Sequence, residues 1–365
     1  MMLMRQDGLI PSKYRYTITL MSISNPSVFF AEFTRKSEEA IDISGNPVEY
    51  FYRIGNLTVK LRFAGNTLIP YLTKALEHLR IRISNNPDLT ILLWDSKSTG
   101  VKMPSPPWSI DDYGQDGLIQ GFNNHRFCTI FRRTSIGLSM LDKENGIGIY
   151  WVKDPNTIPY WEIGAPLREI FYFWFSQYKI QLCHGGAVGK PNGGVLLVGK
   201  GGSGKSTTAL ACLHSELFYA SDDYCLVQLE PIPRVLSLYS TGKKNVDDLD
   251  RLPFLKNISS NTDHFEGEKA LYFIYEYFPQ KILSSFPLKT VLIPRITGKI
   301  DTNIEEASSI AGLKALAPSS IFQLPGDKRQ SLKLMGNLLR QIPCFYLNLG
   351  TDIKQISEVI SQLIL

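Results

Sequence analysis

A chain of 365 residues, 44% hydrophobic and 20% charged, has room for two domains and the composition of an ordinary soluble globular protein. A net charge of +5, from 39 basic and 34 acidic residues, suits an anionic ligand but is no nucleic-acid footprint. Five scattered cysteines, odd in number and without a C-x-x-C pair, exclude a disulfide framework or zinc site and point to free thiols in a reducing cytosol.

The opening "MMLMRQDGLIP" is too short and too soon charged for a secretory signal, and residues 1–45 carry only weak structural signals. In "NLTVKLRFAG", Leu57, Val59, Leu61 and Phe63 alternate with polar residues, so a half-buried strand is expected. Next, "NTLIPYLTKALEHLRI" spaces Leu68, Leu72, Leu76 and Leu79 as a helix does, with Pro70 in the first turn. "LTILLW" (89–94) completes a β-α-β succession as a buried strand. The Pro/Gly/Ser-rich stretch 96–117 reads as a long surface loop, and "RFCTIFRR", "SIGLSML" and "GIGIYWVK" as an antiparallel meander. "DPNTIPYWEIGAP" (154–166) marks a boundary. The expectation is an N-terminal α+β domain over 1–155 and a second domain over 156–365.

Beyond the boundary, "APLREIFYFWFSQY" reads as a helix; its run "IFYFWF" (170–175) is far too short to span a membrane. "IQLCHGGAVG" reads as a strand, "GVLLVG" as a second, "KSTTALACLHSE" as a helix, and "LFYASDDYCLVQLE" as a third strand with two carboxylates in its middle. "LKTVLIPRI" (strand), "EASSIAGLKALA" and "RQSLKLMGNLLRQI" (helices), "CFYLNL" (strand) and "DIKQISEVISQLIL" (helix) follow. Strands alternating with helices argue for an α/β layer domain.

The chemistry centres on "GGVLLVGKGGSGKSTTAL". Gly199, Gly204, Lys205 and Ser206 meet the P-loop pattern G-x-x-x-x-G-K-[ST] in full. Glycines let backbone N–H groups close around an anion, and the following helix turns its positive end to the same point. Gly199, Gly201, Gly202, Ser203, Gly204, Lys205, Ser206 and Thr207 would thus cradle nucleotide phosphate, with Lys205 on the β- and γ-phosphates and Ser206 on Mg²⁺. Asp222 follows Lys205 by seventeen residues, so one helix of about three turns separates them and brings "ASDDYCL" back beside the loop. Alternation would send Asp222 and Asp223 to opposite faces of a regular strand; at a strand end both reach the site, one as base and one near the metal. The alternative is a solvated acidic turn. His184, in "CHGG", is positioned to orient or tune a carboxylate; taken alone it is a structural histidine. Lys243 in "YSTGKK" and Arg295 in "LIPRITGK" are candidates for neutralising the γ-phosphate, or else solvated surface groups. "DDLDR" (247–251) is read as an acidic surface turn in preference to a metal site, and "FYFWF" as core.

Together these pieces resemble the catalytic domain of the HPr kinase/phosphorylase family, over residues 165–245 and more loosely beyond. In that family a His-Gly pair precedes the P-loop strand and an Ala-Asp-Asp triplet ends the next helix-to-strand passage; here His184-Gly185, "GKGGSGKS" and "ASDD" take those places without a gap. The resemblance implies an α/β P-loop kinase domain of the HPr-kinase/PEP-carboxykinase-like type. It implies Asp222 as the general base for a serine hydroxyl with His184 against it, Lys205 and Ser206 on phosphate and Mg²⁺, Asp223 on the metal, and ATP as donor. Ser221 stands where the family has Ala, and the later Glu/Arg/Gly-rich signature tied to the reverse reaction has no counterpart. In "LTVKLRFAG", "LLWDS", "LYSTGKK", "LIPRITG" and "LKALAPSSIFQLP" the chain is similar to HPr-kinase-related tailoring kinases encoded with peptide-modifying enzymes, including lasso-peptide kinases.

The expectation is therefore a cytoplasmic ATP-dependent serine kinase acting on a peptide or small protein, a homo-oligomer being compatible with it, with neither nucleic acid nor membrane as partner. A non-enzymatic nucleotide-binding module that gates a partner, and a small-molecule kinase, are the competing readings. Residues 160–365 alone are expected to bind ATP and to phosphorylate peptide poorly.

Overall fold

A computed structural model describes residues 25–261, 269–322 and 324–365, apart from the side chains of 246–248 and 319. The chain is a mixed α/β protein with two large sheets. The first element among the described residues is helix α1 (Pro26–Ser44), a helix that the weak signals of residues 1–45 did not foretell. The Asn25 side chain accepts from the Ser27 N–H, and Pro26 occupies the first turn, where no intrahelical donor is needed. Phe29, Phe30, Phe33, Ala40 and Ile41 then bury one face.

The N-terminal sheet has seven strands: β1 (Val48–Ile54), β2 (Leu57–Phe63), β3 (Arg80–Ile81), β4 (Leu89–Asp95), β5 (Phe127–Arg132), β6 (Gly137–Asp142) and β7 (Ile147–Val152), in the order β3-β1-β2-β4-β7-β6-β5. β2, β4 and β7 run parallel, and β5, β6 and β7 form the expected meander. The helix expected around Leu68–Leu79 is broken into a turn at Ile69–Leu72 and a 3₁₀ segment at Lys74–Leu79. At the break the Thr73 hydroxyl donates back to Ile69 O at 2.8 Å, a side-chain bond of the kind that competes with helix continuation. The leucines are buried as the spacing required.

Helix α2 (Arg168–Ser176) lies across the boundary between the two halves. Its Phe171, Trp174 and Phe175 are at most 1% exposed and belong to one continuous core with Tyr52, Leu61 and Leu76 of the N-terminal half and Leu182, Leu226 and Tyr239 of the C-terminal half. His78 Nε2 meets Ser237 Oγ at 2.8 Å, and the Ser240 N–H donates to Ala75 O. Residues 154–166 thus mark a change of architecture, but the halves share a core. Excised residues 160–365 would therefore lose part of the cover of α2, and each large side chain so stripped loses about 1.5–3 kcal/mol of burial.

The second sheet has nine strands: β8 (Ile180–His184), β9 (Gly186–Lys190), β10 (Gly193–Leu197), β11 (Phe218–Ser221), β12 (Tyr224–Gln228), β13 (Arg234–Ser237), β16 (Ser285–Ile296), β17 (Asn303–Ala307) and β18 (Cys344–Leu349). β14 (Thr241–Asn245) and β15 (Lys269–Phe273) pair separately. The main path is β11-β9-β10-β16-β13-β12-β8, with β18 parallel to β16 and β17 at its edge. Helix α3 (Lys205–Ala211) follows the P-loop; α4 (Ser309–Ser320), α5 (Lys328–Gln341) and α6 (Ile353–Leu363) fall where the periodicity placed them. Among the described residues no helix is long and apolar enough to cross a membrane, and all five cysteines are buried and free.

Candidate active site

Two stretches expected to be single strands are each broken in two, and the breaks face one another. "IQLCHGGAVG" divides after His184 into β8 and β9, and "LFYASDDYCLVQLE" divides at Asp222-Asp223 into β11 and β12. Tyr224 pairs with His184 on one side of the break and Ser221 with Ala187 on the other, so the two acids lie opposite Gly185 and Gly186. A Cβ on Gly185 would stand 2.7 Å from Leu197 O, the last residue of the P-loop strand. The glycine pair therefore lets three chain segments converge, and leaves room opposite the acids. Because the chain departs from strand geometry there, both carboxylates reach one cleft, which an unbroken strand forbids. A further difference is that β9 lies between the P-loop strand β10 and β11, so the acids come from two strands away.

The P-loop runs from β10 into α3. Gly199, Gly202 and Gly204 have φ of +152°, +78° and +106°, and a Cβ on Gly204 would meet Leu349 Cδ1 at 2.3 Å. These positions need glycine, whereas Gly201 faces open space. The Lys205 ammonium folds back onto Gly199 O at 2.6 Å and Lys200 O at 3.1 Å. Burial lowers its pKa, while Asp222 and Asp223 pull the other way.

Asp222 is 1% exposed. Its Oδ2 accepts the Lys243 backbone N–H at 2.9 Å, and its Oδ1 is buried with no hydrogen-bond partner among the described residues. Burial raises its pKa and the neighbouring Asp223 adds to the rise; the Lys243 N–H, the Ser206 hydroxyl, which lies near the carboxylate but outside hydrogen-bond geometry, and Lys205 lower it in part. Asp223 differs. Its Oδ1 lies 2.9 Å from His184 Nε2, and its Oδ2 takes the Lys243 ammonium at 2.6 Å. Burial would raise its pKa too, but the Lys243 charge and the His184 contact hold it far below the usual carboxylate range.

His184 therefore lies against Asp223, and not against Asp222 as the sequence led us to expect. The reason is register: His184 pairs with Tyr224, the residue next to Asp223, and stacks on its ring at 5.0 Å. Arg168 in turn donates to the Tyr224 hydroxyl at 3.0 Å and pairs with Glu169, so the chain of contacts reaches the boundary between the halves. Lys243 is held by the acid pair, where the sequence placed it on phosphate. Gly242 makes this possible: a Cβ there would stand 2.7 Å from Leu210 Cδ2, so only glycine lets β14 approach α3 so closely. Lys244 Nζ then donates to Thr207 Oγ1 at 2.8 Å.

The cleft so formed has a volume of about 780 Å³, mouth included. His184, Gly201, Gly202, Gly204, Lys205, Ser206, Thr207, Asp222, Asp223 and Lys243 all line it. Gly199 and Ser203 do not line it. Arg295 is a correction: its guanidinium lies over the Tyr346 ring, 4.0 Å from Glu305, away from the cleft, and its neighbour Ile296 occupies the wall. Lys244, Asn245, Arg251 and Lys269 line the cleft and were not anticipated. Lys244 was legible as the second lysine of "STGKK"; Lys269 arrives only through the β14–β15 pairing. Of "DDLDR", the side chains of Asp247 and Asp248 lie outside the described residues, Asp250 pairs with Lys256 at the surface, and Arg251 turns to the cleft.

Among the described residues, five cationic side chains and two carboxylates line this polar cleft, a set that suits a polyphosphate. Among the described residues no three His, Cys, Asp or Glu side chains gather as a metal site. Of the two expected metal ligands, Ser206 faces the cleft, but both oxygens of Asp223 are engaged by His184 and Lys243.

No protein-family model matches the chain, and no curated protein does. Among solved structures, the chain is similar to the Hpr(Ser) kinase/phosphatase from Coxiella burnetii, at 10% identity and a TM-score of 0.28, over 49% of this chain and 93% of that one. With a likeness this slight, the functional reading rests on the geometry of the cleft.

Proposed function

We propose that the protein is an ATP-dependent phosphotransferase of the HPr-kinase-like type that moves the γ-phosphate to a serine hydroxyl of a peptide or small protein, such as a ribosomal precursor peptide. The observation that carries this reading is the orphaned Oδ1 of Asp222, a buried carboxylate oxygen without a partner, in the same cleft as the P-loop Lys205 and Ser206. A buried acceptor left unsatisfied costs about 1–3 kcal/mol, so it marks a place where a ligand group belongs.

The hydroxyl proton of the acceptor goes to Asp222, whose pKa is raised by burial and so suits proton acceptance better than that of Asp223. Asp223 fixes Lys243 and His184 in place. Lys205, with Lys243 and Lys244 behind it, would neutralise charge on the transferred group, where a loose transition state asks mainly for positioning and electrostatics. Mg²⁺, when bound, screens the phosphate charge; Ser206 would hold it together with phosphate oxygens, and Asp223 joins only if Lys243 releases its Oδ2. The N-terminal sheet would position the peptide.

The test is mass spectrometry of candidate peptides incubated with protein, ATP and Mg²⁺. One added phosphate is expected, and a Ser→Ala peptide should not take it. ATP hydrolysis stimulated by a partner with no modified peptide would favour the gating role.

A further inference from the structure

A second groove adjoins the phosphate cleft and shares a wall with it. It lies between the end of α3, the 3₁₀ turn Pro253–Leu255 and helix α6, with a volume of about 1470 Å³, mouth included. Arg251 lines both cavities. Among the described residues its only hydrogen bond goes to Gly350 O at 3.2 Å, so other N–H groups of its guanidinium remain for a ligand at the junction.

The two cavities differ in chemistry. Among the described residues the cleft is dominated by charged groups, with Ile296 its one large apolar side chain. The groove mixes the apolar Ala211, Leu252, Pro253, Phe254 and Ile353 with polar side chains of α6 such as Lys354 and Glu358, and the His214 ring stacks on Phe254 with centroids 4.1 Å apart and planes 29° off parallel. This is an aromatic platform in a groove of mixed polarity, the kind of surface on which a heterocyclic base stacks while its sugar meets polar groups. Its distance is also suitable. With a rise of about 1.5 Å per residue, Ala211 stands ~9 Å along α3 from Lys205, on the scale of the span from terminal phosphate to nucleoside.

We infer that this groove seats the nucleoside of the phosphate donor, its base against the His214–Phe254 pair and Arg251 at the passage from phosphates to sugar. The inference rests on the reading of the cleft as a nucleoside-triphosphate site. An extended peptide is the competing occupant, but a paired ring platform and a guanidinium at the mouth of the phosphate cleft match a nucleotide better.

The experiment is calorimetric titration of the full chain with ATP·Mg²⁺ and with inorganic tripolyphosphate·Mg²⁺, which has the phosphates and no nucleoside. The wild type should bind ATP the more tightly. His214→Ala, at an exposed position, and Phe254→Ala should each weaken ATP on the order of ten-fold, the size of one lost base–aromatic stack, and leave tripolyphosphate unchanged. Equal wild-type affinities for the two ligands would overturn the groove assignment and leave the phosphate cleft standing. Binding of neither would overturn both. Variants that bind ATP as the wild type does but need more acceptor peptide to reach half-maximal rate would hand the groove to the peptide, and so would also overturn the inference. Parallel loss of both ligands in both variants has the same consequence.

Discussion

Asp222→Asn should stabilise the protein while abolishing phosphoryl transfer. In the wild type the carboxylate is 1% exposed, with one oxygen satisfied by the Lys243 N–H and the other unpartnered. Asparagine keeps an oxygen for that N–H, removes the buried charge, and offers its amide to the Ser206 hydroxyl and the open cleft. Relieving an unsatisfied buried acceptor is worth about 1–3 kcal/mol. In domains of 150–250 residues 1 kcal/mol moves Tm by about 2–4 °C, so a rise of a few degrees is expected. The pH dependence follows from the direction of the shift. Because burial raises the folded-state pKa of Asp222, ionisation costs stability above that pKa, and the cost vanishes below the unfolded value of about 3.9. The advantage of the variant should be full above the raised pKa and fade as pH falls through it. Transfer should fall ~10²–10⁴-fold with ATP affinity near normal. Thermal and denaturant unfolding at pH 7 and pH 4, with calorimetry and a transfer assay, provide the readouts. A variant less stable than the wild type at pH 7, or one that transfers at the wild-type rate, would refute the reasoning.

Three further outcomes are expected. Gly204→Ala combines a left-handed φ with a 2.3 Å approach to Leu349, so it should weaken ATP binding at least ten-fold by calorimetry and lower Tm; unchanged binding would contradict the loop geometry. Lys243→Met leaves Asp223 with only His184 and should cost about 2–4 kcal/mol, at or below the usual loss for a buried pair because Asp223 is 20% exposed. The folded-state pKa of Asp223 is depressed in the wild type, so this deficit should be present above the unfolded pKa and shrink as pH falls below it; adding Asp223→Asn should recover part of it in a double-mutant cycle. Excised residues 160–365 should aggregate on expression, since Phe171, Trp174 and Phe175 lose their cover; a soluble, cooperatively unfolding fragment would show that the shared core is dispensable.

The sequence by itself determined most of the apolar strands and helices, and where the P-loop pattern lies. "GKGGSGKST" is legible because the pattern is local: glycines with left-handed φ, consecutive N–H groups and one lysine follow one another along the chain. The acid pair and His184 were legible as residues for the same reason, since "ASDD" and "CHGG" stand at fixed distances from the loop. Their partnership was not. Which carboxylate meets His184 depends on the pairing of His184 with Tyr224, and register between strands forty residues apart is set by packing. Arg295 was misplaced by the same limit: a basic residue at a strand end has two faces to choose from, and Tyr346 on the neighbouring strand decided which. Lys269 and Arg251 entered the cleft through the β14–β15 pair and the 3₁₀ segment that follows β14, contacts that no local pattern announces. The contact between the two halves was hidden for a related reason. A proline-rich boundary is visible in sequence, but whether the cores on either side merge depends on which faces of α2 and the N-terminal sheet come together, and only the tertiary structure shows that Phe171 and Leu61 belong to the same core.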